Sequence, residues 1–251
     1  MGPRRAIVRE PGARYSECIS SHPLRRTIDL SKAREQHAAY CRTLADLGLD
    51  VIRLERDDVH PDSCFVEDNA VVFGNKALIT RMAKPSRRGE ERAVEAALSA
   101  YLRTKRAAAP ATVEGGDVIH LEDRLISGQS QRTNSHGIAQ MREWLGVDVG
   151  VVADEGMIHL KSHLNYLGGG TFLATEAYAR HPQLSGSRVL VVPREEAYAA
   201  NALVIGDTVL TPRGFPRTLE LLRTAGLRPV AMEMSEFPKC EGALTCLSIL
   251  F

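Results

Sequence analysis

The chain has 251 residues, with 32 Lys plus Arg against 31 Asp plus Glu, 44% hydrophobic and 25% charged residues. This is the composition of a soluble globular protein, which excludes disordered and fibrous classes. A net charge of +1 gives no drive toward nucleic acid or an anionic membrane, and no run approaches the roughly 18 apolar residues that span a bilayer.

The chain starts with a basic segment, residues 1–10, whose apolar stretch is far shorter than the core of a secretory signal, so a cytoplasmic protein is expected. Five cysteines, at 18, 41, 64, 240 and 246, are an odd number without a CxxC spacing, and reduced thiols are the expected state. Ser31 can cap a helix that carries Ala33, His37, Tyr40, Cys41, Leu44 and Leu47 on one face and closes at Gly48. A strand follows at 51–54. Residues 68–80 read as a β-hairpin turning at Gly74-Asn75, and Ser86 can cap a helix aligning Val94, Ala97, Leu98, Tyr101 and Leu102. A second hairpin, 117–127, turns at Glu122-Asp123; a helix over 132–145 and a strand over 149–152 come next. A third hairpin, 164–175, turns at Gly168-Gly169-Gly170 and is followed by a strand at 189–192. The fourth, 201–211, turns at Gly206-Asp207, before a helix from Pro216 to Gly226 and a strand at 229–232.

The hairpin turns recur at about 40–50 residues, the spacing of a propeller-like repeat. Its unit is strand, strand, helix, strand. A fifth copy is completed by 246–251 together with Ile7-Val8, which joins the two ends of the chain into one closed α/β ring over residues 1–251.

Candidate chemistry clusters at equivalent places in the repeats. Five carboxylates in residues 57–68, among them Asp62, Glu67 and Asp68, lead into the first hairpin, where they suit a Ca²⁺ ion or an organic cation as well as they suit a solvated loop; EF-hand spacing is absent. Glu114-Gly115-Gly116-Asp117 precedes the second hairpin, and paired glycines allow a close backbone approach. His159 precedes the third; with His163 it has i, i+4 spacing, but the glutamate of an HExxH site is missing, and no metal is assigned. Cys246 heads the last strand. Equivalent positions converge on the axis of a ring, so a cysteine, a histidine and several carboxylates would share one funnel. Cys18 and Cys41 read as buried structural residues, Cys64 as packing, and Cys240 is open. Arg87, Arg88 and Arg132 follow the second strands of the first two hairpins, and arginine can grip a carboxylate with paired donors.

Seven segments in register, Phe65-Val66-Glu67-Asp68, Ser86-Arg87-Arg88-Gly89-Glu90, Val113-Glu114-Gly115-Gly116-Asp117, Arg132-Thr133-Asn134, His159-Leu160-Lys161, Tyr198-Ala199-Ala200-Asn201 and Leu244-Thr245-Cys246-Leu247-Ser248, resemble the dimethylarginine dimethylaminohydrolase family of the pentein superfamily. The resemblance implies a five-bladed ring of ββαβ units and hydrolysis of dimethylarginine or monomethylarginine to citrulline and an alkylamine, without a cofactor. It implies Cys246 as nucleophile, His159 as general acid and base, and Glu114 as the carboxylate orienting His159. Asp62, Glu67 and Asp68 would hold the guanidinium or amino group, and Arg87 and Arg132 the α-carboxylate. The family pattern has an Asp and two glycines where this chain has Glu241-Gly242-Ala243, and the Cβ of Ala243 is expected to narrow the pocket or restrict a loop. The partner implied is a small guanidino amino acid, not nucleic acid or membrane; monomer and homodimer both remain open. Two other readings are an arginine deiminase-type pentein that releases ammonia, whose relatives carry a helical domain for which 251 residues leave no room, and a non-catalytic pentein-like binding protein, which would not need Cys246, His159 or Glu114.

Overall fold

Tight turns fold each predicted hairpin back on itself, and the strand after it then lies parallel to the second arm. In the computed structural model, which describes residues 2–251, this pattern repeats five times. β1 (Arg5–Arg9) and β2 (Asp50–Leu54) flank α1 (Leu30–Asp46), and β3 (Ala70–Phe73), β4 (Lys76–Ile79) and β5 (Arg103–Arg106) carry α2 (Glu91–Ser99) between the last two. β6 (Val118–His120), β7 (Leu125–Gln129) and β8 (Val149–Ala153) carry α3 (Ser135–Leu145) in the same place. Next come β9 (Leu164–Gly168), β10 (Thr171–Ala174) and β11 (Arg188–Val191), and then β12 (Leu203–Ile205), β13 (Thr208–Pro212), α4 (Pro216–Thr224) and β14 (Arg228–Met232). β15 (Ile249–Leu250) pairs antiparallel with β1, Ala6 opposite Leu250, so the two ends of the chain build one three-stranded sheet, as the repeat requires.

The apolar side chains gather at the five joints between neighbouring sheets. Val71 and Leu78 of the first hairpin pack with Val118, Leu125, Ile138 and Met141 of the second. Ile119, Ile126 and Val152 meet Leu164, Phe172 and Ala174. Leu167, Leu173 and Leu190 meet Ala202, Val209 and Leu222. Leu203, Leu210 and Met232 meet Val8, Tyr40 and Leu44. Ile7 and Ile249 meet Val66, Ala70 and Ile79. Each blade is thus stabilised by burial against its neighbours, and the ring closes because the fifth joint is as apolar as the others.

Four details differ from the sequence reading. β5, with the sequence Arg-Thr-Lys-Arg, lacks the apolar alternation that signals a strand; parallel pairing with β4 holds it in place. Between β10 and β11 a 3₁₀ turn, Pro182–Leu184, takes the place of the helix. Third, neither predicted serine caps its helix: Asp29 caps α1 by accepting a hydrogen bond from the Lys32 amide, and α2 begins after a separate 3₁₀ turn at Pro85–Arg87.

The fourth difference is chemical. Cys18 and Cys240, which lie 222 residues apart, form a disulfide, against the expectation of five reduced thiols. Separation of that length hides such a pair from spacing rules, and the cysteine count no longer argues for a reducing compartment. Cys41 and Cys64 are free and buried, and Cys246 is free and partly exposed. Among the described residues, no helix is long and apolar enough to cross a membrane.

A non-reducing digest should yield a peptide joining Cys18 to Cys240. Reduction should lower the stability to denaturant by about 2–5 kcal/mol, the usual range for a native disulfide; unchanged unfolding curves with and without reductant would contradict a structural role.

Candidate active site

Every blade enters its first strand through a short 3₁₀ turn: Val66–Asn69, Gly115–Asp117, Leu160–Ser162, Arg194–Ala200 and Thr245–Leu247. These turns carry or adjoin Glu67, Asp68, Glu114, His159, Lys161 and Cys246, and side chains bond each to the next. Asp68 Oδ1 accepts from the Gly116 amide at 2.9 Å, and Asp117 Oδ1 accepts from the Leu160 amide at 3.0 Å. Asn165 Nδ2 donates to the Ala200 carbonyl at 2.8 Å. Asn201 Oδ1 accepts from the Thr245 amide at 3.0 Å, and Thr245 Oγ1 closes the circuit by donating to Glu67 Oε2 at 2.7 Å.

His159 donates Nε2–H to Glu114 Oε2 at 2.9 Å, and Asp68 Oδ1 lies 3.7 Å from the same nitrogen. Burial alone would lower the imidazole, but Asp68, Glu114 and Asp117 outweigh it and raise its pKa to about 9. His159 is therefore an imidazolium at neutral pH. Burial would raise Asp68 in the same way, yet His159 and Arg87 hold it down at about 2. The Cys246 thiol goes far upward, first through burial and then through the nearby Glu67 and Asp68 carboxylates. Both effects favour the protonated thiol.

The remaining predicted residues are distributed unevenly. Asp62 is buried and accepts from the Ile19 amide with both oxygens, at 3.1 and 3.3 Å, anchoring the segment that carries Cys18. Glu67 lies in the cluster, with one oxygen on Thr245 and the other on Lys161 Nζ at 2.5 Å. Arg87 is held by carboxylates. It is buried and donates Nε and Nη2 to Glu90 and Nη1 to Asp68 at 2.8 Å, with Glu114 3.9 Å away. A guanidinium so enclosed by carboxylates has little left for a substrate carboxylate. Arg132 is different: it is buried, and its Nε and Nη1 lack hydrogen-bond partners. Asp68, Glu114 and His159 bring ligand atoms within 4.8 Å of one another, but Arg87 supplies the positive charge beside the two carboxylates, where a metal ion would otherwise be needed.

Three residues of this site had no role in the sequence reading: Lys161, Glu90 and Asn201. Each lies in one of the family-like segments, yet nothing local marks Glu90 and Asn201 as buried or Lys161 as paired with Glu67. Glu90 shows its burial in a pKa raised to about 6 despite Arg87. In the approach to Cys246, a Cβ on Gly242 would sit 2.2 Å from the Phe65 ring, so only glycine fits there. Ala243 instead borders a cavity of about 480 Å³ with His22, Ser162 and Tyr198.

A closed ring of five three-stranded blades, with a cysteine, a histidine and buried carboxylates on the turns entering its inner strands, defines a pentein of the guanidine-modifying type. A profile of the family described as N,N dimethylarginine dimethylhydrolase, eukaryotic, matches residues 5–176. The chain is 36% identical over 250 residues to the N(G),N(G)-dimethylarginine dimethylaminohydrolase of Pseudomonas aeruginosa, covering 98% of each chain. It is 38% identical over 253 residues to that of Streptomyces coelicolor, covering 99% of this chain and 97% of the relative. The solved structure of a cysteine-to-serine variant of the Pseudomonas aeruginosa enzyme complexed with citrulline matches with a TM-score of 0.96 at 35% identity, covering all of both chains. The chain belongs to the dimethylarginine dimethylaminohydrolase family.

Two predictions follow from the geometry. Because the folded state raises His159 from 6.5 to about 9, the imidazolium's contribution is fully present below pH 6.5 and lost as pH rises through about 9. Urea unfolding across that window should show a decline of at most about 3 kcal/mol, which His159→Gln flattens. A Cβ on Gly116 would lie 2.8 Å from His159 Nδ1 and 2.9 Å from Asp68 Oδ1, so Gly116→Ala should cost about 100-fold in turnover by displacing the imidazole; wild-type kinetics would refute the contact.

Proposed function

We propose that the protein hydrolyses Nω,Nω-dimethyl-L-arginine or Nω-monomethyl-L-arginine to L-citrulline and dimethylamine or methylamine, with residues 1–251 acting as one catalytic domain. One observation carries the reading. Six buried carboxylates, Asp62, Glu67, Asp68, Glu90, Glu114 and Asp117, outnumber Arg87, Arg132, Lys161 and the His159 imidazolium, and the Nε and Nη1 of Arg132 have no hydrogen-bond partner, Glu114 lying 3.9 Å from Nη1. A ligand with a guanidinium at one end and a carboxylate at the other satisfies both imbalances.

Cys246 attacks the guanidino carbon. A guanidinium brought against Asp68 offsets the negative field that keeps the thiol protonated, so binding and formation of the nucleophile coincide, the thiol proton leaving to solvent. Addition of thiolate gives a neutral tetrahedral species. His159 protonates the alkylated nitrogen, the C–N bond breaks, the amine departs, and a cationic thiouronium remains on Cys246. His159, now neutral, takes a proton from water as hydroxide adds to the same carbon. Collapse releases citrulline, returns Cys246 as thiolate and gives the hydroxyl proton to solvent. Glu114 holds His159 in position throughout. Asp62 and the Ile19 backbone, tied together, would receive the amino-acid end with Arg132, and Arg87 would fix Asp68.

Incubation with dimethylarginine, monomethylarginine and arginine in turn, with citrulline, alkylamine and ammonia measured, tests the reading; citrulline from the methylated substrates is expected. Ammonia from arginine as the preferred product would establish the deiminase alternative, and no citrulline at all would leave neither. His159→Gln should lose about 10²–10⁴-fold in rate, and wild-type kcat should fall as pH rises through about 9, where the imidazolium loses its proton. Iodoacetamide should label Cys246 before Cys41 and Cys64, which are buried, and labelling should accelerate with pH. Prior modification of Cys41 would point to a different reactive thiol.

A further inference from the structure

We infer that Asp117 and Ser130 are a positioning pair that sets the distance between His159 and Arg132, and so couples the reacting end of the site to the end that receives the carboxylate. The inference rests on the roles just given to His159 and Arg132. Asp117 has no exposed surface. One of its oxygens, Oδ1, accepts from the amide of Leu160, the residue directly after His159, at 3.0 Å. The other, Oδ2, accepts from Ser130 Oγ at 2.7 Å. Ser130 Oγ in turn accepts from the amides of Arg132, at 3.0 Å, and Thr133, at 3.2 Å. The circuit then closes on itself: Thr133 Oγ1 accepts from the Glu114 amide at 3.1 Å, and Glu114 Oε2 accepts from His159 Nε2 at 2.9 Å.

One buried carboxylate therefore bridges two turns that come from different blades. The hold is stiff because each oxygen has a directed donor and none faces water; a buried network of this kind fixes geometry when every member is satisfied. Asp117 touches neither the nucleophile nor Arg132's guanidinium in this arrangement, so its action is positional. It also adds negative charge beside His159, which already faces Asp68 and Glu114. The cations nearby are spoken for: Arg87 lies against Asp68 and Glu114, Arg132 is 3.9 Å from Glu114, and Lys161 is paired with Glu67.

The two halves of the pair predict different kinetic signatures. Asp117→Asn removes charge and one acceptor at constant volume. The His159 imidazole titration, followed by NMR and assigned through its disappearance in His159→Gln, should move to lower pH, and kcat should fall about 10- to 100-fold. Ser130→Ala keeps the Leu160 bond and releases the Arg132 turn, so KM should rise about tenfold with the His159 titration unmoved. A wild-type titration and kcat in Asp117→Asn, or a loss confined to kcat in Ser130→Ala, would overturn the inference. Should Asp117→Asn lose its cooperative thermal transition, the split between kcat and KM in Ser130→Ala decides alone. The NMR titration needs no turnover. A wild-type protein that makes no citrulline would thus defeat the proposed function while the coupling of Asp117 to His159 is still measured.

Discussion

The circuit of side-chain hydrogen bonds linking the five inner turns is the constraint on which the remainder of the site depends. Backbone entering the first strand of each blade leaves amides and carbonyls that the sheets do not pair, and in the interior of a ring water is a poor substitute partner. Asp68, Asp117, Asn165, Asn201 and Thr245 fill that need across successive joints. Because each bond spans two blades, the relative positions of Asp68, Glu114, His159 and Cys246 are decided by groups that pack the ring together. Catalytic geometry and fold closure are in this sense one requirement met by the same atoms.

That requirement carries an electrostatic burden. Carboxylates are good acceptors for exposed turn amides, so the ring accumulates negative charge where it can least be hydrated. Lys161, Arg87 and the His159 imidazolium relieve part of it, and burial together with the residual charge favours the protonated thiol of Cys246. The thiol is consequently a weaker nucleophile in the free protein than when a cation lies beside it. Selectivity for a positively charged substrate arises from the same imbalance that makes the empty site costly to maintain.

Much of this organisation was legible in the amino-acid order. Turn pairs such as Gly74-Asn75 and Gly206-Asp207 between apolar runs located the hairpins, and their even spacing implied the ring and the union of the two chain ends. Cys246, His159 and Glu114 stood out because they precede first strands. What lay beyond reach depended on burial and on long-range pairing. Nothing around Arg87 distinguishes a guanidinium enclosed by Glu90 and Asp68 from one open to a ligand. Lys161 looks like a surface lysine until Glu67 is placed beside it. The strand Arg103–Arg106 has no apolar signature since its pairing with β4 alone defines it, and Cys18 meets Cys240 only after the entire ring has formed.

The sheet shared by β15 and β1 has a further meaning for how the chain is threaded. The ends of the polypeptide lie in adjacent, hydrogen-bonded strands, with Arg5 bonded to Phe251, and the disulfide fastens the same region covalently. Where the polymer begins is then nearly arbitrary for the architecture. A circularly permuted gene, opened at the glycine turn 168–170 and joined across the old termini by a few residues, would trace the same five blades in a different order of synthesis. In such a molecule the cysteine would be encoded ahead of the histidine and farther from it along the chain, with the reacting groups unchanged in space.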